Sequence, residues 1–328
     1  MNQSTVDSQT PEHTRWLQTP VPRVTIGIPV YNGENYLDRT LTSLLAQSFK
    51  DFELIISDNG STDKTEEICR AFAAKDSRIY YQRNDINRGA AWNYNNVATL
   101  ARGEFFMWNA HDDMRAPEYI ERCVEALTQH KDAILCYTSS HEIDENDVVI
   151  RDDPIVPEME SPKPHVRFDA SWHSAPPHLF VFGLIRSNVL RKTKMIGNYA
   201  SQDWVLIGHL ALLGPFYGIK DYLFFYRRHG EQSSPACKSR RDIRAWYDPL
   251  KADKINFPVW RLLREYLIAI HQVRLSITER IATYASFLRW TIRQRRKLLV
   301  NLVLIGGTPN QRKPPKPRVH ANNSESSS

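Results

Sequence analysis

From residue 24 to residue 127, short apolar runs alternate with helically spaced leucines, and each run closes on a cluster of polar residues. VTIGIPV (24–30) is rich in β-branched residues, and Leu37, Leu41, Leu44 and Leu45 follow it at helical spacing. ELIIS (53–57) reads as a buried strand, DNGSTD as a polar turn, and a helix follows from about Thr62 to about Ala74. RIYY (78–81), a helix entered through NDINRGAAWN and ending near Leu100, EFFMW (104–108), and a helix opened by Pro117 and running through Leu127 complete the series. This alternation predicts an α/β fold with a mostly parallel central sheet and helices on both faces. In such sheets ligands bind beyond the carboxyl ends of the strands, where these polar clusters fall.

Further along, residues 142 to 178 are Pro-rich and show no clear period. LFVFGLIRS then reads as a strand, QDWVLIGHLALLG as a helix ending at Gly214, and PFYGI and YLFFYRR as two strands. Beyond Cys237 the pattern is helical. Ser276 and Glu279 have the spacing of a capping box that opens a long helix to about Ile305. The expected division is a flexible segment 1–22, an α/β domain 23–236, a helical C-terminal extension 237–306, and a disordered tail 307–328 rich in Pro, Ser and Lys.

Composition narrows the class. With 41% hydrophobic and 24% charged residues, the 328-residue chain has the make-up of a soluble globular protein. The first twenty residues lack a basic region followed by an apolar one, so no secretory signal is expected and the protein should be cytoplasmic. Cys69, Cys123, Cys136 and Cys237 form no CxxC pair and read as buried thiols. No run of about 18 apolar residues occurs, so no membrane span is expected. Residues 281 to 328 hold nine Lys/Arg against the single acid Glu325, so this end carries the basic charge of a chain whose net charge is +6. The helix bearing Trp290, Leu298, Leu299 and Leu302 beside Arg289, Arg293, Arg295, Arg296 and Lys297 can either pack with a solvated basic face or rest on an anionic membrane surface. No nucleic-acid recognition motif accompanies the charge, so nucleic acid is not an expected partner.

The polar clusters resemble those of the family-2 glycosyltransferases of GT-A fold. The resemblance rests on IPVYNGENYL (28–37), SDNGSTDKT (57–65), NRG…N (87–95), ARGEF (101–105) and HDDMRAPE (111–118), in that family's order and spacing. It extends more weakly to SQDWVLIGHLALLG and YRRHGEQSS, so it covers about residues 24 to 234. It implies a donor half 23–115 that binds a nucleoside-diphosphate sugar, with a UDP-sugar favoured, and an acceptor half 116–236 that binds a saccharide or lipid-linked hydroxyl. A divalent cation, Mg²⁺ or Mn²⁺, is the implied cofactor. Inverting transfer of a single sugar in cell-surface polysaccharide or glycolipid assembly is the implied activity, because QxxRW of the processive synthases is absent after Asp203.

By resemblance, Pro29, Tyr31 and Glu34 lie in the nucleotide pocket, where an aromatic face can stack on a base; the alternative is a surface turn in which Asn32-Gly33 serves backbone geometry. Asp58 is placed against a base N–H, whereas Ser61 and Asp63 read better as helix caps. Arg88 can face a diphosphate or base, or be an exposed helix-start arginine. It stands in for an arginine the family carries where this chain has Asn93-Tyr94-Asn95. The family's D-x-D falls on Ala110-His111-Asp112, followed by Asp113, so the first acid is missing. Asp112 is the implied metal ligand and donor contact, Asp113 the next, and His111 and His229 weaker candidates. Asp203 is the implied catalytic base, with Gln202 and Trp204 beside it on the acceptor side; a helix-start acid and a core tryptophan are the alternative readings. Arg228 is a weaker phosphate candidate, and a solvated strand end is the alternative reading of Arg227-Arg228-His229. Ala110 also admits a catalytically degenerate nucleotide-sugar-binding partner protein. A dinucleotide-dependent dehydrogenase is set aside because the first strand leads to PVYNGE, with no G-x-G-x-x-G.

Overall fold

The computed structural model describes residues 11–173, 177–230, 240–249 and 257–303. The Gln232-Ser233-Ser234 segment, Cys237 and the expected tail 307–328 lie outside the described residues. A short helix, α1 (Pro11–Leu17), occupies part of the stretch expected to be flexible. Trp16 anchors it: its Nε1 donates to Glu53 Oε2 at 2.9 Å, its ring stacks on Tyr80 at 4.5 Å, and the Arg102 guanidinium sits 4.2 Å above it. One buried aromatic in a polar stretch gives a sequence reading no period to detect.

The first half follows the expected alternation. It runs β1 (Val24–Val30), α2 (Leu37–Leu45), β2 (Phe52–Asp58), α3 (Thr65–Ala73), β3 (Ile79–Arg83), α4 (Ala90–Leu100) and β4 (Phe105–Trp108). These four strands are parallel, in the order β3–β2–β1–β4. Alternate residues face opposite sides. Val24, Ile26, Ile28 and Val30 pack with Leu54 and Ile56 beneath α2, while Ile55, Phe106 and Trp108 meet Val97 of α4 on the other face. Gly27 allows α4 to come close, since a Cβ there would lie 2.6 Å from Val97 Cγ2. Pro29 lies past the end of the β1–β4 ladder, which closes at Gly27↔Trp108, so its missing N–H breaks no bond on that side.

The second half is mixed. It contains β5 (Met114–Arg115), α5 (Tyr119–Gln129), β6 (Leu135–Ile143), β7 (Val149–Asp153), α6 (Pro164–His173), β8 (Leu184–Arg186), α7 (Ser187–Leu190), α8 (Gln202–Leu213) and β9 (Phe216–Arg227). The sheet continues β4–β8–β6–β9–β5 with β7 on β6. Only β6–β9 is parallel in this part, so parallel pairing dominates just the first half. The stretch 142–178 is more regular than its prolines imply: Pro157 opens a 3₁₀ turn and Pro164 opens α6. Proline is tolerated at a helix's first turn, where its N–H would have no partner in any case. LFVFGLIRS begins in a 3₁₀ turn (Pro177–Phe182), with only Leu184–Arg186 extended. The two strands expected from PFYGI and YLFFYRR are one strand with register shifts opposite Thr138–Ser140.

Three more helices follow: α9 (Arg240–Tyr247), α10 (Pro258–Gln272) and α11 (Ile277–Val303). Ser276 and Glu279 form the expected capping box, with Ser276 N–H donating to Glu279 Oε2 at 3.0 Å and Glu279 N–H to Ser276 Oγ at 3.2 Å. Phe168, Trp172, Tyr266, Phe287 and Trp290 bind α10 and α11 to α6 and α8 in one aromatic cluster. Cys69, Cys123 and Cys136 are buried free thiols. No described helix is long and apolar enough to cross a membrane.

Candidate functional site

Loops at the carboxyl ends of β1 and β2 are stapled together by backbone donors. Asn32 N–H donates to Ser61 Oγ at 2.9 Å, Gly33 N–H to Thr65 Oγ1 at 2.8 Å and Glu34 N–H to Asp63 Oδ2 at 3.0 Å. The Glu34 carboxylate accepts from Lys64 N–H at 3.1 Å, so it helps cap α3. Asp63 caps the same helix by accepting from Thr65 N–H at 3.1 Å. Tyr31 is 43% exposed, leaving its ring open to a flat ligand. Asp58 is fully buried: Oδ1 accepts from Ser61 N–H at 2.8 Å, Oδ2 from Tyr81 OH at 2.9 Å, and Arg83 Nε lies 3.5 Å away. Pro29 is buried within β1 opposite Ser57.

Asn59 accepts from Arg88 N–H at 3.0 Å and donates to Asn87 Oδ1 at 2.9 Å, fixing the loop that leads to Gly89 (φ +87°) and α4. The exposed Arg88 guanidinium lies 4.7 Å over the Trp92 ring. It opens onto a cavity of about 930 Å³ whose walls include Trp92, Met195, Tyr199, His209 and Glu265.

The turn after β4 carries two adjacent buried carboxylates, Asp112 and Asp113. Asp112 and His229, 117 residues apart, meet at 2.8 Å between Asp112 Oδ2 and His229 Nε2, and both are buried. Burial alone would raise the Asp112 pKa, but the His229 hydrogen bond and the neighbouring His111 and His229 imidazoles hold it below the usual carboxylate range. Asp113 behaves oppositely: burial and the Asp112 charge push it well above that range. Its Oδ1 accepts from Arg227 N–H at 2.9 Å, so it braces the end of β9. His111 is half-buried against Gly33, and its carbonyl accepts from Thr40 Oγ1 at 2.9 Å.

Asp112 and His229 are side chains that could hold a divalent cation. His229 Nδ1 is buried without a hydrogen-bond partner. Among the described residues no cluster of three such groups occurs. A site of this kind leaves its remaining positions to oxygen atoms of a ligand or water.

Asp203 lies in the first turn of α8. Burial raises its pKa to about 6, against smaller opposing effects from the Trp204 and Asp203 backbone N–H groups. The Tyr94 hydroxyl is within electrostatic reach of all three carboxylates: burial raises its pKa, and the charges of Asp112, Asp113 and Asp203 add to the effect. Ser201, just before α8, is left-handed at φ +61°, a strained setting for a non-glycine residue. Gln202 is buried with Oε1 unpartnered, and Trp204 packs against the aromatic cluster of α6, α10 and α11.

The sequence reading missed four residues that build the site: Asn59, Tyr36, Tyr94 and Arg227. Arg227 is fully buried; Nε donates to Asp112 O at 3.0 Å, a terminal nitrogen to Asp144 O at 2.7 Å, and its guanidinium lies 4.8 Å over Tyr36. The other terminal nitrogen pairs with Asp147 Oδ1 at 2.5 Å. Tyr36 also packs on His229 at 4.6 Å. The exposed Arg228 pairs with Glu142.

The glycosyl transferase family 2 profile matches residues 25–192, just over half of the chain. An uncharacterized glycosyltransferase of Rickettsia typhi is 39% identical over 116 residues, 35% of each chain, and glycosyltransferase GlyG of Streptococcus pneumoniae is 28% identical over 62% of this chain and 70% of its own. The chain spans about a third or less of the Rickettsia relatives' length, 35% in one and 18% in another. Among solved structures, residues 1–349 of TarS from S. aureus, in complex with UDP-GlcNAc, match with a TM-score of 0.63 at 18% identity, over 85% of this chain and 79% of that one. That likeness establishes the GT-A fold. The matched span carries the loops of β1 to β4 and the Asp112 turn, and on that basis the chain belongs to glycosyl transferase family 2.

Proposed function

We propose that this protein is an inverting glycosyltransferase that moves one sugar from a nucleoside-diphosphate sugar to a saccharide or lipid-linked hydroxyl acceptor. A UDP-sugar is the favoured donor, in keeping with the UDP and UDP-GlcNAc complexes of TarS. The observation that carries the reading is the ionised Asp112 hydrogen-bonded to His229, with the high-pKa Asp203 within electrostatic reach of the same Tyr94 hydroxyl as Asp112. Residues 23–115 are assigned to the donor and 116–236 to the acceptor. The family resemblance supports a role in cell-surface polysaccharide or glycolipid assembly.

In this reading the Tyr31 ring stacks on the base, and Asp58 and Asn59 shape the loop around it. Asp112 and His229 would hold a divalent cation, Mg²⁺ or Mn²⁺, which when bound would offset the negative charge of the departing diphosphate. Asp203 removes the acceptor hydroxyl's proton as that oxygen attacks the anomeric carbon. A carboxylate with a pKa of about 6 is ionised at neutral pH and is a better base than an ordinary one. Asp113 braces β9, with no metal contact.

Ala110, where the family's first acid is expected, favours a second reading: a relative that binds donor without transferring it. One experiment separates the two. Thermal unfolding is followed with UDP-, GDP- and dTDP-sugars, with and without Mn²⁺ or Mg²⁺, and nucleotide release is then measured with the best donor. Metal-dependent stabilisation with release supports the enzyme, and stabilisation without release the degenerate relative; no stabilisation by any sugar nucleotide refutes both.

A further inference from the structure

Helix α11 has two apolar faces. One, bearing Phe287, Trp290 and Leu298, is buried against the body, where Trp290 stacks on Trp172 at 5.5 Å. The other is exposed: Ile277 is 80% accessible, Ile281 63%, Leu288 59%, Ile292 50% and Leu299 61%. Their spacing of four, seven, four and seven residues puts all five within about 60° of one another on the helix circumference, along about 33 Å of its length. They point away from the packed face. At the far end Trp260 of α10 is 39% exposed and donates to Leu298 O at 3.3 Å, adding an aromatic beside Leu299.

Arg289, Arg293, Arg295, Arg296 and Lys297 stand within and along one flank of this stripe, and all are exposed. Glu279 is the one acid of α11, and its carboxylate is engaged in the Ser276 capping box.

We propose that α11 seats on an anionic lipid surface, its outer apolar stripe entering the boundary between headgroups and chains and its arginines meeting lipid phosphates. An apolar stripe flanked by cations, on a helix too polar to span, is the pattern of an interfacial helix. Aromatic side chains favour the same boundary. The stripe's spacing also suits a coiled coil with a second copy, but charge decides against that: each copy brings the same cluster of cations and no free acid to answer it. Residues 304–328 are no better matched, since they carry Arg312, Lys313, Lys316 and Arg318 against Glu325. The inference deepens the proposed transfer reading by favouring a lipid-linked acceptor, yet lipid binding is measured without any donor or turnover.

The test is co-sedimentation of the full chain with vesicles of phosphatidylcholine alone and with about 30 mol% phosphatidylglycerol, alongside the size of the free protein by light scattering. Binding is expected to the anionic vesicles and to weaken with salt. Leu288→Gln with Ile292→Gln should weaken it at least about tenfold. Arg293→Gln with Arg296→Gln should weaken it about thirtyfold, since each basic residue near such a surface counts for a factor of about five. These side chains are exposed, and thermal unfolding checks that both variants keep the fold. Equal or absent binding to the two vesicle types overturns the proposal. So does a dimer that the Leu288/Ile292 variant dissociates, which assigns the stripe to a second copy. Nucleotide release with a soluble acceptor should be unchanged in the apolar variant, so loss of lipid binding and loss of transfer are separately visible.

Discussion

Asp203→Asn should make the protein more stable and slow transfer by orders of magnitude. The native carboxyl titrates at about 6 against 3.8 in an unperturbed chain, and at 1.36 kcal/mol per tenfold this amounts to about 3 kcal/mol of disfavoured ionisation. Asp203 is only half-buried, so solvent screening reduces this to about 1–2 kcal/mol. Losing a charge from the first turn of α8 subtracts about 0.5 kcal/mol and does not reverse the sign. The pH dependence follows from proton uptake. Between pH 4 and 6 the native state holds the proton that the unfolded chain has released, so this group's contribution to stability falls as pH rises through that window and is level above it. The asparagine variant does not titrate. Its advantage in urea unfolding should therefore be near zero at pH 4 and grow to about 1 kcal/mol or more by pH 7, which for a chain of this size is an unfolding temperature about 1.5–3 °C higher. Transfer by the wild type should fall about tenfold per pH unit below about 6, and the variant should lose about 10²–10⁴-fold at neutral pH. A variant less stable than wild type at pH 7, or a stability difference that does not change with pH, refutes the picture of a desolvated base and makes Asp203 a simple helix-start acid.

Three other perturbations address the rest of the site. Asp112→Ala and His229→Ala should each remove most of the metal-dependent thermal stabilisation by a UDP-sugar, at least about tenfold in apparent affinity, while leaving any metal-independent part; retention of the full increment would place the cation elsewhere. Arg227→Met should cost about 3–5 kcal/mol in urea unfolding, because the residue is fully buried and joins the Asp112 turn to Asp144 and Asp147. Arg227→Lys should restore little of that loss, since an ammonium cannot reach three partners in one plane. Gly89→Ala should destabilise by about 1–3 kcal/mol, because φ is +87° and the new Cβ would lie 2.4 Å from Tyr247 O; a neutral result would mean that α9 does not pack there.

The half of the fold that was legible in the sequence is the half buried on both faces. β1, β2 and β4 are covered by helices on either side, so they read as unbroken apolar runs bounded by polar turns. The second half lacks that signal. β7 is an exposed edge strand of sequence VIRDD, β8 is three residues long, and the apolar run before it is a 3₁₀ turn that burial pattern alone cannot separate from a strand. Prolines at 157 and 164 looked like loop markers and are helix starts.

Within the site, the residues were legible and their relations were not. Asp112 and His229 each stood out in a motif, but their meeting depends on β9 lying between β6 and β5, and no local pattern states that order. Asp112 and Asp113 are neighbours in the sequence, but the His229 bond and the two imidazoles hold the Asp112 pKa down, whereas burial and the Asp112 charge push Asp113 up despite its bond from Arg227 N–H. Arg227 did leave a usable signal. Neighbouring residues in a strand face opposite sides, so of two consecutive arginines closing the apolar run YLFFYRR only one can easily face water. The other must be buried, and a buried guanidinium requires acceptors converging on it from several segments. Arg228 is the solvent-facing member, and Arg227 is the one around which the Asp112 turn, Tyr36 and the β6–β7 turn assemble. A charge doublet at the end of a buried strand thus points to a junction of loops, and here that junction lies behind the Asp112–His229 pair.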